Sequence, residues 1–169
     1  MEAKSYDKSK DLIKGEALLI FLNGDPVAYS KKHDFKVSPE EEDVSSKFSG
    51  KYSESVLGTV KWNVTVDSLV SVTKGHTSAN LFRQLAASGA VVDMKIAAFT
   101  ITEKQTGKEI AIGAVSYQGN VTVGEVSESS ARGEYATFSA TLNGSGPLKD
   151  GDGNEVGTPA ALAALTAGG

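Results

Sequence analysis

Residues 58–73 read GTVKWNVTVDSLVSVT, and this stretch decides the fold class. Val60, Trp62, Val64, Val66, Val70 and Val72 fall on one side of an extended chain, with Thr59, Lys61, Asn63, Thr65, Asp67 and Ser71 on the other. Strand side chains alternate between faces, so a period of two over this length specifies a half-buried β-strand. Only Ser68 and Leu69 break the alternation, as a bulge or bend would. At about 3.3 Å per residue the segment covers roughly 50 Å, several times an ordinary strand of about 17–20 Å. Such a strand either bends between sheets or crosses a large sheet shared with other subunits.

Upstream, EALLIFL (16–22) is an apolar run that ends in Asn23, Gly24 and Asp25. Asn-Gly tolerates the positive φ of a type I′ turn, so a hairpin is expected, with PVAYSKKHDFKV returning. Pro26 has no N–H for a ladder and belongs at an edge or at a strand's first residue. Residues 38–57, SPEEEDVSSKFSGKYSESVL, interrupt the pattern with Pro39 and an acidic run, and they read as a long inter-strand loop reaching toward a neighbour.

Downstream, TSANLFRQLAAS (77–88) changes period. Thr77 or Ser78 caps it, Leu81, Phe82, Leu85 and Ala86 form one apolar stripe, and Gly89 ends it, which predicts a single flanking helix. VVDMKIAAFTIT (91–102) is a strand whose apolar phase runs through Val92, Met94, Ile96 and Ala98 and then shifts to Phe99 and Ile101. A turn at Gln105, Thr106 and Gly107 joins it to residues 108–126 in a long hairpin. EYATFSATLNG (134–144) supplies the last alternating strand, and GPLKDGDGNEVGTPAALAALTAGG reads as a turn-rich tail of small residues with no strand.

The chain of 169 residues, 40% of them hydrophobic, is sized for one domain with appendages: an arm over 1–15, a β domain over 16–148 and a tail over 149–169. There is no cysteine, which excludes disulfides, thiolate metal sites and a thiol nucleophile. No apolar run approaches the roughly 20 residues of a membrane helix, and residues 1–15 lack the apolar centre of a signal peptide, so the expectation is synthesis in the cytoplasm and no membrane partner. Seventeen basic against 21 acidic residues leave a net charge of −4, which argues against tight phosphate binding.

His33 and His76 have no partner at a metal-ligand or triad spacing and read as surface residues. Asp150, Asp152 and Asn154 open a calcium-loop pattern, but Glu155 stands where that loop needs glycine and Ala161 where it needs glutamate, so a Gly-Asp turn is the better reading. No metal, cofactor or catalytic residue is expected. The acidic run Glu40, Glu41, Glu42 and Asp43, with Lys47, Phe48, Lys51 and Tyr52 beyond it, reads either as a solvated loop or as a contact between subunits.

With these elements in order, the chain resembles the major tail (tail tube) proteins of long-tailed phages. The resemblance is carried by ALLIFLNGDPVAYSKKHDFKVS, EEEDVSSKFSGKYSESV, GTVKWNVTVDSLVS, LFRQLAASGAVVDMKIA and GNVTVGEVSESSARGEYATFSATLNGSGPL, and spans about residues 15–148. It implies a mainly β subunit, sandwich- or barrel-like, with one flanking helix and a long inter-strand loop. It further implies six copies to a ring, and rings stacked into a tube that conducts DNA within the virion tail after assembly in the host bacterial cytoplasm. Tape-measure, terminator and distal tail or baseplate proteins become expected partners. In such a tube the 40–52 loop would join rings, and Lys61, Asn63, Thr65 and Asp67 would face the lumen, where genomic DNA passes without sequence-specific binding. Two other classes fit the residues: a β-sandwich binding module (an adhesin or carbohydrate-binding domain), which needs an exposed aromatic platform, and a closed-barrel carrier with a lipid inside.

Overall fold

The computed structural model describes residues 4–166; residues 1–3 and 167–169 of the expected arm and tail lie outside the described residues. A short helix α1 (Lys8–Asp11) and a 3-10 turn (Gly15–Ala17) lead into β1 (Leu18–Leu22), β2 (Asp25–Pro26), β3 (Ser30–Asp43) and β4 (Ser55–Leu69). Helix α2 (Ala79–Ser88) follows, then β5 (Val91–Lys104), β6 (Gly107–Ser129), β7 (Thr137–Gly144), β8 (Lys149–Asp150) and α3 (Pro159–Thr166). The strands form one curled antiparallel sheet in the order β2-β1-β5-β6-β7-β4-β3, with β8 added to β6.

Strand β4 behaves as its alternation requires. Trp62, Val64 and Val66 are buried in the main core with Ile20, Leu22, Met94, Phe138 and Leu142. Ser68 continues that inward phase and is fully buried, and β4 runs against β7 without a shift through Leu69. The irregularity expected at Ser68 and Leu69 sits instead on the partner strand, between Ser30 and Lys32. Helix α2 closes the core with Phe82, whose ring centroid is 5.3 Å from that of Phe138. Gly89 ends it at φ 67°, in the left-handed region that spares glycine a Cβ clash.

Four other expectations change. The Asn23-Gly24 turn forms, with φ of 51° and 86°. Its return strand lasts only two pairs, Leu22 with Asp25 and Phe21 with Pro26, and β3 then crosses to the opposite edge of the sheet to pair with β4. The inter-strand loop is narrower than residues 38–57: β3 continues through Pro39 to Asp43 against β4, leaving residues 44–54 as the connection. An edge strand tolerates Pro39 because one side of it makes no ladder bonds. In β5 the phase shifts at Ala97 rather than Phe99, and Ala97 joins a second buried cluster with Leu19 and Phe21 on the other face of β1. The tail carries order that the sequence reading did not give it: β8 pairs with Tyr117 and Gln118, and α3 begins at Pro159 after Thr158. The Thr158 side chain accepts from Ala161 N–H (3.4 Å), as a capping threonine does.

Candidate assembly surfaces

Because β7 stops at Asn143 and Gly144, which pair with Asn63 of β4 and Val121 of β6 respectively, both neighbouring hairpins run on beyond it as two-stranded ribbons. One is the outer part of β3 and β4; the other is the outer part of β5 and β6. An aromatic group joins their bases. Phe35 of β3 stacks on Tyr117 of β6 at 5.2 Å, and the Trp62 indole N–H donates to the Gly146 carbonyl (3.1 Å). Isolated two-stranded ribbons are marginal in water, so both depend on something further for their stability.

The β3–β4 ribbon carries all eight loop residues singled out in the sequence. Glu40–Asp43 lie on β3 itself, and Lys47, Phe48, Lys51 and Tyr52 lie in the 44–54 connection. The connection is shaped by serine contacts: Ser45 N–H donates to Asp43 (2.8 Å), Glu54 N–H to Ser45 (2.7 Å) and the Ser49 hydroxyl to Glu54 (2.8 Å). Hydrogen bonds from Ser45 hold the Asp43 carboxyl below its usual range. Phe48 is 99% exposed and Tyr52 72%, with Lys51 over the Tyr52 ring. Val56, Leu57 and Val60 of the same ribbon are also exposed.

Lys61, Asn63, Thr65 and Asp67 share one outward face of β4, and the ladder extends that face sideways. Asp67 pairs with Lys32 and Ser139, Thr65 with Asp34 and Thr141, and Asn63 with Lys36 and Asn143. The result is a wall of hydroxyls and amides whose charges are internally matched: Lys32 meets Asp34 at 3.3 Å and Lys61 meets Glu40 at 2.7 Å. The hydrogen bond from Lys61 to Glu40, with its charge, keeps the Lys61 ammonium more strongly protonated than usual.

The sequence reading missed the β5–β6 ribbon as a surface. Phe99 faces Ile112 and Ile101 faces Ile110 across it, all four on one side, and the three isoleucines stay 38–51% exposed. Isoleucine at every second position of a hairpin was the available signal. After the shift at Ala97 the ribbon turns, and its tip comes back beside the first hairpin's start: Lys104, Thr106, Gly107, Lys108 and Glu109 line a shallow depression with Tyr29 and His76.

Catalytic chemistry gains no site from these positions. His76 Nδ1 lies 2.7 Å from the Ser71 hydroxyl in an exposed turn, without a carboxylate to orient it. His33 is half-buried, and that burial pushes its pKa down, with nearby Asp34 opposing. The Asp150 carboxylate is used within its own turn, accepting from the N–H groups of Asp152 (3.0 Å) and Asn154 (2.9 Å). Among the described residues there is no group of three or more acidic or histidine side chains placed to hold a metal.

No protein-family model matches the chain, and no curated protein sequence matches it. Solved structures do. The chain resembles one from the virion of a native gene transfer agent particle (TM-score 0.62, 16% identity), covering 81% of this chain and 97% of that one. It also resembles one from the tail of an empty gene transfer agent particle with C6 symmetry (TM-score 0.61, 18% identity, 82% and 98% covered). A third match is to the SPP1 tail tube (TM-score 0.55, 10% identity, 80% and 77% covered). The chain has the tail tube fold. The two ribbons carry a group of this chain's exposed apolar residues.

Proposed function

We propose that this chain is a structural subunit that closes with copies of itself into rings, six to a ring, and stacks the rings into a tail tube through which DNA is ejected. One observation carries the reading: in a tail tube fold, both two-stranded ribbons leave valine, leucine, isoleucine and phenylalanine without partners. Apolar surface and open strand edges on a soluble subunit are liabilities unless another chain covers them. Head-to-tail contacts that close give rings, and those that repeat along an axis give filaments.

In this reading Lys61, Asn63, Thr65 and Asp67 line the lumen, and Glu40–Asp43 with Lys47, Phe48, Lys51 and Tyr52 join one ring to the next. A charge-matched, hydroxyl-rich wall suits passage of a duplex that carries one negative charge per about 1.7 Å, because it offers few unpaired cations to hold phosphate. Residues 1–15 and 149–169 act as an arm and a tail on the 16–148 domain. The subunit assembles in the host bacterial cytoplasm and resides in the virion tail, with tape-measure, terminator and distal tail or baseplate proteins at its ends. Trp62, the one tryptophan, is 6% exposed and part of the core, so it offers a carbohydrate-binding module no platform.

Sedimentation velocity across a concentration series, with negative-stain microscopy of the same samples, tests the proposal. Rings or tubes with a central hole are expected. A species that stays monomeric at the highest concentration reached overturns it.

A further inference from the structure

Both ribbons leave past the same end of β7, and the β5–β6 ribbon then turns back so that its tip reaches the level of the other end. The β3–β4 ribbon leaves past Gly144, the C-terminal end of β7. The β5–β6 tip sits beside Tyr29, whose carbonyl accepts from Leu69 N–H, and Leu69 pairs with Thr137 at the other end of β7. Eight strand residues separate the two levels, about 25 Å. Within one molecule the two tips are therefore held apart.

The first ribbon is acidic with an apolar strip. Glu41, Glu42 and Asp43 have no cationic partner among the described residues, and Val56, Leu57 and Val60 are 48–65% exposed beside them. The second is apolar, with two basic and two acidic residues at its tip, Lys104 and Lys108 with Glu103 and Glu109. Ile101, Ile110 and Ile112 lead to Lys104 and Lys108, and Lys108 has no ion pair among the described residues. Lys104 is paired to Glu109 of its own ribbon, whereas Lys108, across the ladder from Glu103, is the tip cation without an ion pair among the described residues.

We propose that the β3–β4 ribbon of one copy lies along the β5–β6 ribbon of a second, Leu57 and Val60 against Ile101, Ile110 and Ile112, with Glu41, which shares their face, beside Lys108. This rests on the head-to-tail assembly proposed above and names the surface that receives the acidic ribbon. The contact is heterologous, so each copy donates at one end and receives at the other, and it repeats without closing on itself. Burial of the apolar strips supplies affinity, and the charge pairs fix register and orientation.

The chain has no cysteine, so an engineered pair reports one contact. Leu57→Cys and Ile110→Cys in one chain are expected to give a ladder of covalent multimers on oxidation, visible on a non-reducing gel, while either change alone gives at most a dimer. Separately, Lys108→Glu is expected to raise the concentration needed for assembly roughly tenfold or more, by setting like charges opposite one another. Adding Glu41→Lys to the same chain restores assembly. Far-UV circular dichroism of each variant keeps loss of folding apart from loss of contact, and the cross-linking arm requires no change of charge. If the parent chain forms tubes but the ladder is absent and Lys108→Glu assembles unchanged, this contact is wrong while the tube reading stands. If the parent chain never assembles, both fail.

Discussion

Trp62 lies against two glycines, and this makes Gly144→Ala an informative substitution. A Cβ on Gly144 would overlap three indole atoms, far inside van der Waals distance, and one on Gly119 would stand 2.7 Å from the far edge of the same ring. Neither glycine has a positive φ, so alanine is acceptable to the backbone and the whole cost is steric. The ring cannot swing aside freely: its N–H is held by the Gly146 carbonyl and Phe35 packs on it at 6.5 Å. Forcing a methyl into a filled core costs about 1–3 kcal/mol. In a chain of this size that corresponds to a fall in Tm of about 2–12 °C. Thermal unfolding followed by far-UV circular dichroism, below any concentration at which the chain assembles, measures it free of mass-action stabilisation. In a Trp62→Leu background the obstructing ring is gone, and the same Gly144→Ala change is expected to cost under about 0.5 kcal/mol, a coupling within the range seen for residues in contact. Equal costs in the two backgrounds would refute the claim that the indole fills the space above Gly144.

Ser68→Ala is expected to stabilise the chain by about 1 kcal/mol in urea unfolding, because its buried hydroxyl has no hydrogen-bond partner; a destabilised variant would mean that the hydroxyl has a role in the core. Phe82→Ala, which removes the fully buried side chain that joins α2 to Phe138, should cost about 3–5 kcal/mol by the same measurement. Burial disfavours the protonated form of His33 in the folded chain, so its contribution to stability is full above the ordinary imidazole pKa and declines as pH falls through the lower folded value. Stability should therefore drop between about pH 7 and 5, and His33→Gln should flatten that part of the curve; an unchanged slope would assign it to other groups. Deleting residues 40–55, which are exposed throughout except for half-buried Ser49, should leave a folded chain by circular dichroism that no longer stacks into tubes, and loss of folding would show that the ribbon belongs to the domain.

What the sequence made legible follows from where burial imposes a pattern. β4 and β7 each bury one face, so period two is written into Trp62-Val64-Val66 and Phe138-Ala140-Leu142. The helix from Ala79 to Ser88 announces itself through Phe82 and the stop at Gly89. β3 beyond Val37 buries nothing, so Pro-Glu-Glu-Glu-Asp can occupy a strand without any alternation that sequence reading could detect. The Asn23-Gly24 turn fixed its own geometry but not the length of the strand after it, because Val27 and Ala28 bond to Ile20 and Thr77 before the chain leaves for the far edge. The C-terminal helix was readable from Thr158, a capping residue, followed by Pro159 at the first helical position and an alanine-leucine run. Of the candidate surfaces, the polar file on β4 and the acidic run follow from local sequence. The ribbon of isoleucines required knowledge of which hairpin outruns its neighbours, and that is a property of ladder register rather than of any one segment.

The strand from Gly107 to Ser129 hydrogen-bonds to β5, β7 and β8 and lies under α2. The two halves of the sheet, β2-β1-β5 and β7-β4-β3, are thereby joined through a single continuous backbone. A pull transmitted along a column of such molecules would load many hydrogen bonds of that strand together in shear, and the amides at its centre would exchange with solvent only when the whole chain opens.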